Sequence, residues 1–253
     1  MLNTLKKVAN KVLGTPASRR RKQSRTSDTP IQALEDRSLL AGNVLASFSA
    51  RGDLVLKGDN SGNAVNVQRV DSNIIVQGQN WDGVPTQING RASAVFPATA
   101  ARHLKINMKG GDDFVSVFRT SFTGNVTANM GSGQDIFSMG GIVTQQEVVL
   151  GNVKVNLGSN SSTFPSTASL GYIGVGGNVN IKGGSGRQDA SVTYAGIVKK
   201  LSVNLGKGND TLTIRNTSAG SHKLNGGGGL DVFHATSLFE WTNETNFEGI
   251  IQL

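Results

Sequence analysis

The chain has 253 residues with 33 Gly, no Cys, 6% aromatic and 17% charged side chains. The missing cysteines exclude disulfides, thiolate metal centres and cysteine nucleophiles, and no apolar run reaches the roughly 18 residues of a membrane span. The net charge of +8 sits mainly in residues 1–37, where nine Lys/Arg face three acids; the remainder holds 16 against 14, so the body presents no broad basic face for nucleic acid.

In chain order, the first predicted element is a short helix. Leu2, Leu5, Val8, Val12 and Leu13 fall on one helical stripe, and Gly14 and Pro16 end it. The stretch ASRRRKQSRTSDTP that follows is polar and cationic, a composition that favours disorder. Next comes LEDRSLLAG, residues 34–42. It resembles the LEDR/LEPR-x-LL-A motif near the N-terminus of exported planctomycete proteins, in which an Arg-rich segment also precedes the motif. That resemblance implies sorting or processing and an extracellular or cell-surface location. Residues 1–41 are therefore expected to be a basic, largely disordered sorting segment with a short helix. A polybasic arm for nucleic acid or anionic lipid is the other reading of the same charges.

Residues 42–100 read as degenerate β repeats. LVLKGDNSGNAVNVQ (54–68) has a strand–corner–strand form, with Ala64 at its expected corner position. Residues 101–236 carry the repeat more clearly, in LKINMKGGDDFVSV (104–117), VTANMGSGQDIFSM (126–139), LSVNLGKGNDTLTI (201–214) and HKLNGGGGLDVFHA (222–235). VKVNLGSNSSTFPS (153–166) and VNIKGGSGRQDASV (179–192) fit less closely. The aligned corner residues are Asp113, Asp135, Ser162, Asp189, Asp210 and Asp231, spaced by 21 to 27 residues. Asn107, Asn129, Asn156, Asn204 and Asn225 stand six residues earlier, and Gly-Asn-Val opens units at Gly124, Gly151 and Gly177. An alternating strand buries one face, Gly-x-Gly permits a sharp corner, and Asp or Asn caps the turn. The expected fold is all-β, a parallel β-solenoid with 21–27-residue coils and Asn ladders along its axis. An antiparallel sandwich of hairpins is the competing architecture. Residues 237–253 lack the corner motif, are rich in aromatics and acids, and are expected to cap the stack.

Gly131, Gly133 and Asp135, then Gly206, Gly208 and Asp210, then Gly227, Gly229 and Asp231 resemble the hemolysin-type (RTX) calcium repeat, with Gly111 and Asp113 matching in part. The resemblance implies calcium held by Asp113, Asp135, Asp210 and Asp231 together with loop carbonyls. That family repeats its motif every nine residues, whereas here it comes once per 21–27 residues, and the same aspartates also read as turn caps.

Nothing in the sequence demands catalysis. His103, His222 and His234 form no metal or protease motif. Asp112, Asp113, Asp135 and Arg119 are the candidates were this a solenoid enzyme acting on polysaccharides, a lyase or glycoside hydrolase. The expected function is a non-enzymatic structural or adhesive protein whose partner is a cell-surface or matrix polysaccharide or protein; the polysaccharide-active enzyme is the alternative.

Overall fold

Alternation decides the backbone. In residues 201–214, Leu201, Val203 and Leu205 are buried, as are Leu212 and Ile214, while Ser202, Asn204, Thr211 and Thr213, which alternate with them, are exposed or half-buried. The two apolar runs are separated by Gly206 and Gly208, at φ +99° and +146°, where L side chains are strained and the chain turns. A neighbouring layer also excludes a side chain there, because a Cβ on Gly208 would lie 2.3 Å from the carbonyl oxygen of Gly186.

The structure is a computed structural model that describes residues 42–81, 83–236 and 244–252. The expected helix, the basic linker and the LEDRSLLAG motif up to Ala41 lie outside the described residues, as do residues 237–243 and 253 of the expected cap. What is described is all-β. The sole helical element among the described residues is one 3-10 turn, Ala98–Ala100.

Twenty strands join one large, mostly parallel hydrogen-bonded sheet. Its parallel pairs form three rows. In the first, Asp53–Lys57 pairs with His103–Asn107, and this with Val126–Asn129, Val153–Asn156, Val179–Lys182 and then the segment around Leu201 and Val203. In the second, Ala64–Val70 pairs with Phe114–Phe118, followed by Ile136–Gly140, Ser166–Val175, Gln188–Asn204, Thr211–Arg215 and Val232–Thr236. A third, shorter row runs from Glu147–Val149 through Ile173 and Val175 to Ala195 and Ile197. Partners in these rows are mostly 20-odd residues apart in sequence, as Leu104 with Val126 and Val153 with Val179 show.

Antiparallel strand pairs are confined to the early part of the chain, where Asn43–Phe48 returns along Asp53–Lys57 and Ala64–Val70 along Asn73–Gly78. The sandwich of hairpins therefore does not extend beyond it. Ser218–Asn225 follows the Leu201 segment in the first row and Glu244–Thr245 follows it in turn, while Gly249–Gln252 adds one more layer to the second row.

Inward residues of all three rows meet in one core. Leu54, Leu104, Val153 and Leu201 come from the first, Val65, Phe137, Leu212 and Phe233 from the second, and Phe122, Val149, Ile173 and Ile197 from the third. Each fully buried aliphatic or aromatic side chain contributes about 1.5–3 kcal/mol relative to exposure. No single layer encloses this core. Its apolar face is covered only when the next layer pairs with it, as in repeat proteins generally.

Candidate functional site: a carboxyl ladder at the corners

The corner before each second-row strand places a polar residue on the inward side of the chain. Asp210 has the same parity as Leu212 and Ile214, so its side chain points inward with theirs. The register then stacks Asn63, Asp113, Asp135, Ser166, Gln188, Asp210, Asp231 and Glu248 in one row, each one position before paired strand residues.

Each acidic side chain in this row caps the layer before it. Oδ1 of Asp113 accepts the backbone N–H of Asn63 at 2.9 Å, and Oδ1 of Asp135 accepts that of Asp113 at 3.0 Å. Ser166 Oγ accepts from Asp135 N–H at 3.1 Å. Oδ1 of Asp210 accepts from Gln188 at 2.7 Å, Oδ1 of Asp231 from Asp210 at 2.8 Å, and Oε2 of Glu248 from Asp231 at 2.6 Å. These donors sit at corners where the strand ladder has stopped, so the side chains satisfy N–H groups that would otherwise be buried without a partner.

The second oxygen of these aspartates is different. Oδ2 of Asp113, Asp135, Asp210 and Asp231 is buried and has no hydrogen-bond partner among the described residues. Burial raises all four pKa values against the pull of the backbone donors, to about 8 for Asp113, about 7 for Asp210 and about 6 for Asp135. Neighbouring carboxyls add to the rise, Asp135 acting on Asp113 and Asp231 on Asp210. Asp113 Oδ1 also accepts from Asn63 Nδ2 at 3.1 Å, but burial outweighs these donors and favours the neutral form.

One further acid behaves alike. Glu147 is buried at the start of the third-row strand Glu147–Val149, where its Oε1 accepts the backbone N–H of Thr120 at 3.0 Å. Burial lifts its pKa to about 8. Sequence reasoning missed it because no glycine motif marks that corner. The available signal was parity, since Glu147 alternates with Val149.

The ladder corrects the sequence alignment in three places. Asn63, not Ala64, is the rung beside Asp113. Ser166, not Ser162, follows Asp135. The intervening loop closes on itself, with Asn160 Oδ1 accepting from Ser162 N–H at 2.7 Å and Asn160 Nδ2 donating to the Phe164 carbonyl at 2.6 Å. Gln188, not Asp189, is the next rung, and Asp189 faces outward beside Arg187. At Asn63 and Gln188 inward parity outranks residue type, because the register must keep Val65 and Val67, and Ala190 and Val192, in the core, whereas Ser166 takes its place because Thr167 pairs with Ile136.

The expected Asn ladders are present in part. Asn156 Nδ2 donates to Asn129 Oδ1 at 2.9 Å, and Asn129 Nδ2 to Asn107 Oδ1 at 3.4 Å, but Lys182 takes the next place in the register. The Gly-Asn-Val asparagines form a more regular series. Asn152 N–H donates to Asn125 Oδ1, and Asn178 N–H to Asn152 Oδ1, both at 2.8 Å. His103 heads that series, its Nδ1 accepting the Asn125 N–H at 2.9 Å.

The four candidate catalytic residues do not share an open cleft. Asp113 and Asp135 lie in the buried ladder, while Asp112 is exposed and caps Gln134 N–H at 2.8 Å. Arg119 stands at the other end of the strand Phe114–Phe118 and donates to Gln145 Oε1. Among the described residues no group of three or more His, Cys, Asp or Glu is placed to hold a metal ion. His234 pairs in register with Thr213 on the outer surface of the second row.

No family model matches the chain, and no curated protein or solved structure matches it.

Proposed function

We propose that the protein is an exported β-solenoid with a structural or adhesive role at the cell surface or in the extracellular matrix, and that it is not an enzyme. The observation that carries this reading is the corner ladder. The acids that would serve a hydrolase or lyase cap backbone groups of a neighbouring layer, Asp113 and Asp135 of the preceding one and Asp112 of the following one, which makes them parts of the scaffold. Rows of parallel strands offset by 20-odd residues suit a solenoid, in which each layer supports its neighbours and builds a stiff rod. The LEDRSLLAG segment and the arginines before it support export.

Calcium enters this proposal through the unpartnered Oδ2 atoms of Asp113, Asp135, Asp210 and Asp231. A divalent cation is one way to satisfy such oxygens and protonation is the other. We adopt protonation, because Oδ1 of Asp113, Asp135, Asp210 and Asp231 is engaged by a backbone N–H and a calcium shell requires six to eight converging oxygens.

Two measurements on the native host test the export reading. Protease added to intact cells should degrade the protein, and deletion of residues 1–41 should retain the body inside the cell. Protection of the full chain from added protease, or export of the deleted form, would overturn it.

A further inference from the structure

The outer surface of the second row carries a feature that neither the core nor the ladder explains. Its outward side chains form two parallel files. One file reads Ser116, Ser138, Ser169, Ser191 and Thr213 across consecutive layers. The other reads Phe118, Gly140, Gly171, Thr193 and Arg215. Two adjacent glycines leave the second file without side chains for two layers, so Phe118 and Thr193 stand three strand spacings apart, about 14 Å.

The adjoining corner continues the gap. Its residues in successive layers are Arg119, Gly141, Tyr172 and Tyr194, one position beyond the file just described. Tyr172 and Tyr194 stack with ring centroids 4.6 Å apart and planes 4° from parallel. On the other side of Tyr172 the neighbouring layer offers only Gly141. Tyr172 holds this place at φ +51°, a backbone region unfavourable for a bulky side chain. The result is a notch of about 230 Å³, floored by the serine file and bordered by Phe118, Tyr172 and Thr193.

Packing accounts for one of the two file glycines and not for the other. A Cβ on Gly140 would lie 2.0 Å from the carbonyl oxygen of Gly171, so glycine is obligatory there. A Cβ on Gly171 would meet nothing closer than Thr193 Oγ1 at 3.4 Å, an ordinary contact. The backbone would accept a side chain at Gly171, and its absence is what keeps the notch open.

We infer that this notch is a binding subsite for one pyranose ring of a neutral polysaccharide. The inference rests on the surface or matrix role proposed above and gives that role a ligand class. No lining residue is charged, which disfavours phosphates and uronic acids. Serine and threonine hydroxyls both donate and accept hydrogen bonds, matching sugar hydroxyls that do the same. The aromatic borders at Phe118 and Tyr172 suit the apolar C–H face of a pyranose. The volume falls below the ~300–1,000 Å³ of drug-sized pockets and fits a single ring. The file continues beyond the notch as Asn66 on one side and Thr213 on the other, so a glycan chain lying along it would keep polar contacts on either side.

The test is affinity electrophoresis of the full chain in gels containing neutral polysaccharides (α- and β-glucans, mannan, galactan) or acidic ones (alginate, pectate). Retardation by at least one neutral polymer, stronger than by either acidic one, is expected. Gly171→Val fills the notch with a residue suited to strands and should weaken that retardation at least tenfold with an unchanged melting temperature. Gly171→Ala, a smaller change, should weaken it partially and serves if the valine variant fails to fold. Tyr172→Phe should bind as the parent does. No retardation by any neutral polymer, preference for the acidic polymers, or full binding by the folded Gly171 variants would each overturn the subsite. Protease protection on intact cells would remove the surface role and leave this binding result standing, so the two failures are distinguishable.

Discussion

The backbone N–H of Asp210 donates to Oδ1 of Asp231 at 2.8 Å, joining two residues 21 positions apart in sequence and adjacent in the stack. One carboxyl thus ends the layer above it, while the other carboxyl oxygen of Asp231 is buried without a partner. Layer-to-layer cohesion at these corners is therefore tied to the protonation state of the ladder.

Stability should fall as pH rises. The folded-state pKa values of Asp113, Asp135 and Asp210 are raised to about 8, 6 and 7 from 3.8, and that of Glu147 to about 8 from 4.5. Groups raised on folding contribute fully below their unfolded pKa, and the contribution is lost as pH climbs through the folded value. Urea midpoints should be higher at pH 5 than at pH 8. Equal midpoints, or a higher one at pH 8, would contradict neutral carboxyls in the ladder.

The hydrogen-bonding and charge roles of Asp210 separate by substitution. Asp210→Ala leaves the Gln188 N–H without its acceptor and should cost about 1–3 kcal/mol at pH 5, and less at pH 8, where the parent has lost the contribution of the neutral carboxyl. Asp210→Asn keeps an acceptor of the same shape and removes the titration. It should cost less than the alanine change at pH 5 and flatten the decline toward pH 8. Asn63 already occupies a rung of this row, so the amide is sterically acceptable. Chemical denaturation of both variants at the two pH values checks the pair.

Corner glycines should differ sharply from the surface glycine of the notch. Gly208→Ala places a Cβ 2.3 Å from the Gly186 carbonyl oxygen at a positive φ, and the backbone strain alone should cost about 1–3 kcal/mol. Gly171→Ala meets only ordinary contacts and should leave the melting temperature within a degree or two of the parent. Thermal melts of the two single variants, side by side, give the comparison.

Calcium should have no effect on stability. At pH 5, where the raised pKa values leave the ladder carboxyls neutral, millimolar CaCl₂ and an excess of chelator should give the same melting temperature, and calorimetry should record no binding heat. A ligand that binds only the folded state raises stability with its concentration. An upward shift that saturates with calcium would replace protonation by metal binding at Oδ2 of these aspartates.

Removing a large core side chain should weaken the whole stack. Phe137 is fully buried among the inward residues of the second row. Phe137→Ala should cost about 3–5 kcal/mol in a denaturation experiment. A cost below 1 kcal/mol would mean that the layers are far less closely packed than the burial implies.

Much of the architecture was legible in the chain itself. Alternating apolar residues, Gly-x-Gly corners and regular spacing determined an all-β fold, and they picked out Asp113, Asp135, Asp210 and Asp231 as corner residues. These signals are local, since alternation and positive φ are properties of a few consecutive residues. What local pattern could not supply was register. Spacing drew Ser162 and Asp189 into the alignment, while pairing across layers selected Ser166, beside the Thr167–Ile136 pair, and Gln188, because a one-residue slip there would have turned Ala190 and Val192 out of the core. Only the tertiary structure decided that the aspartates face inward and cap the preceding layer, that Glu147 joins them in burial, and that Gly140, Gly171 and Tyr172 meet at one surface notch. Each of those facts depends on which residues of distant layers become neighbours, and that is fixed by the packing of the common core.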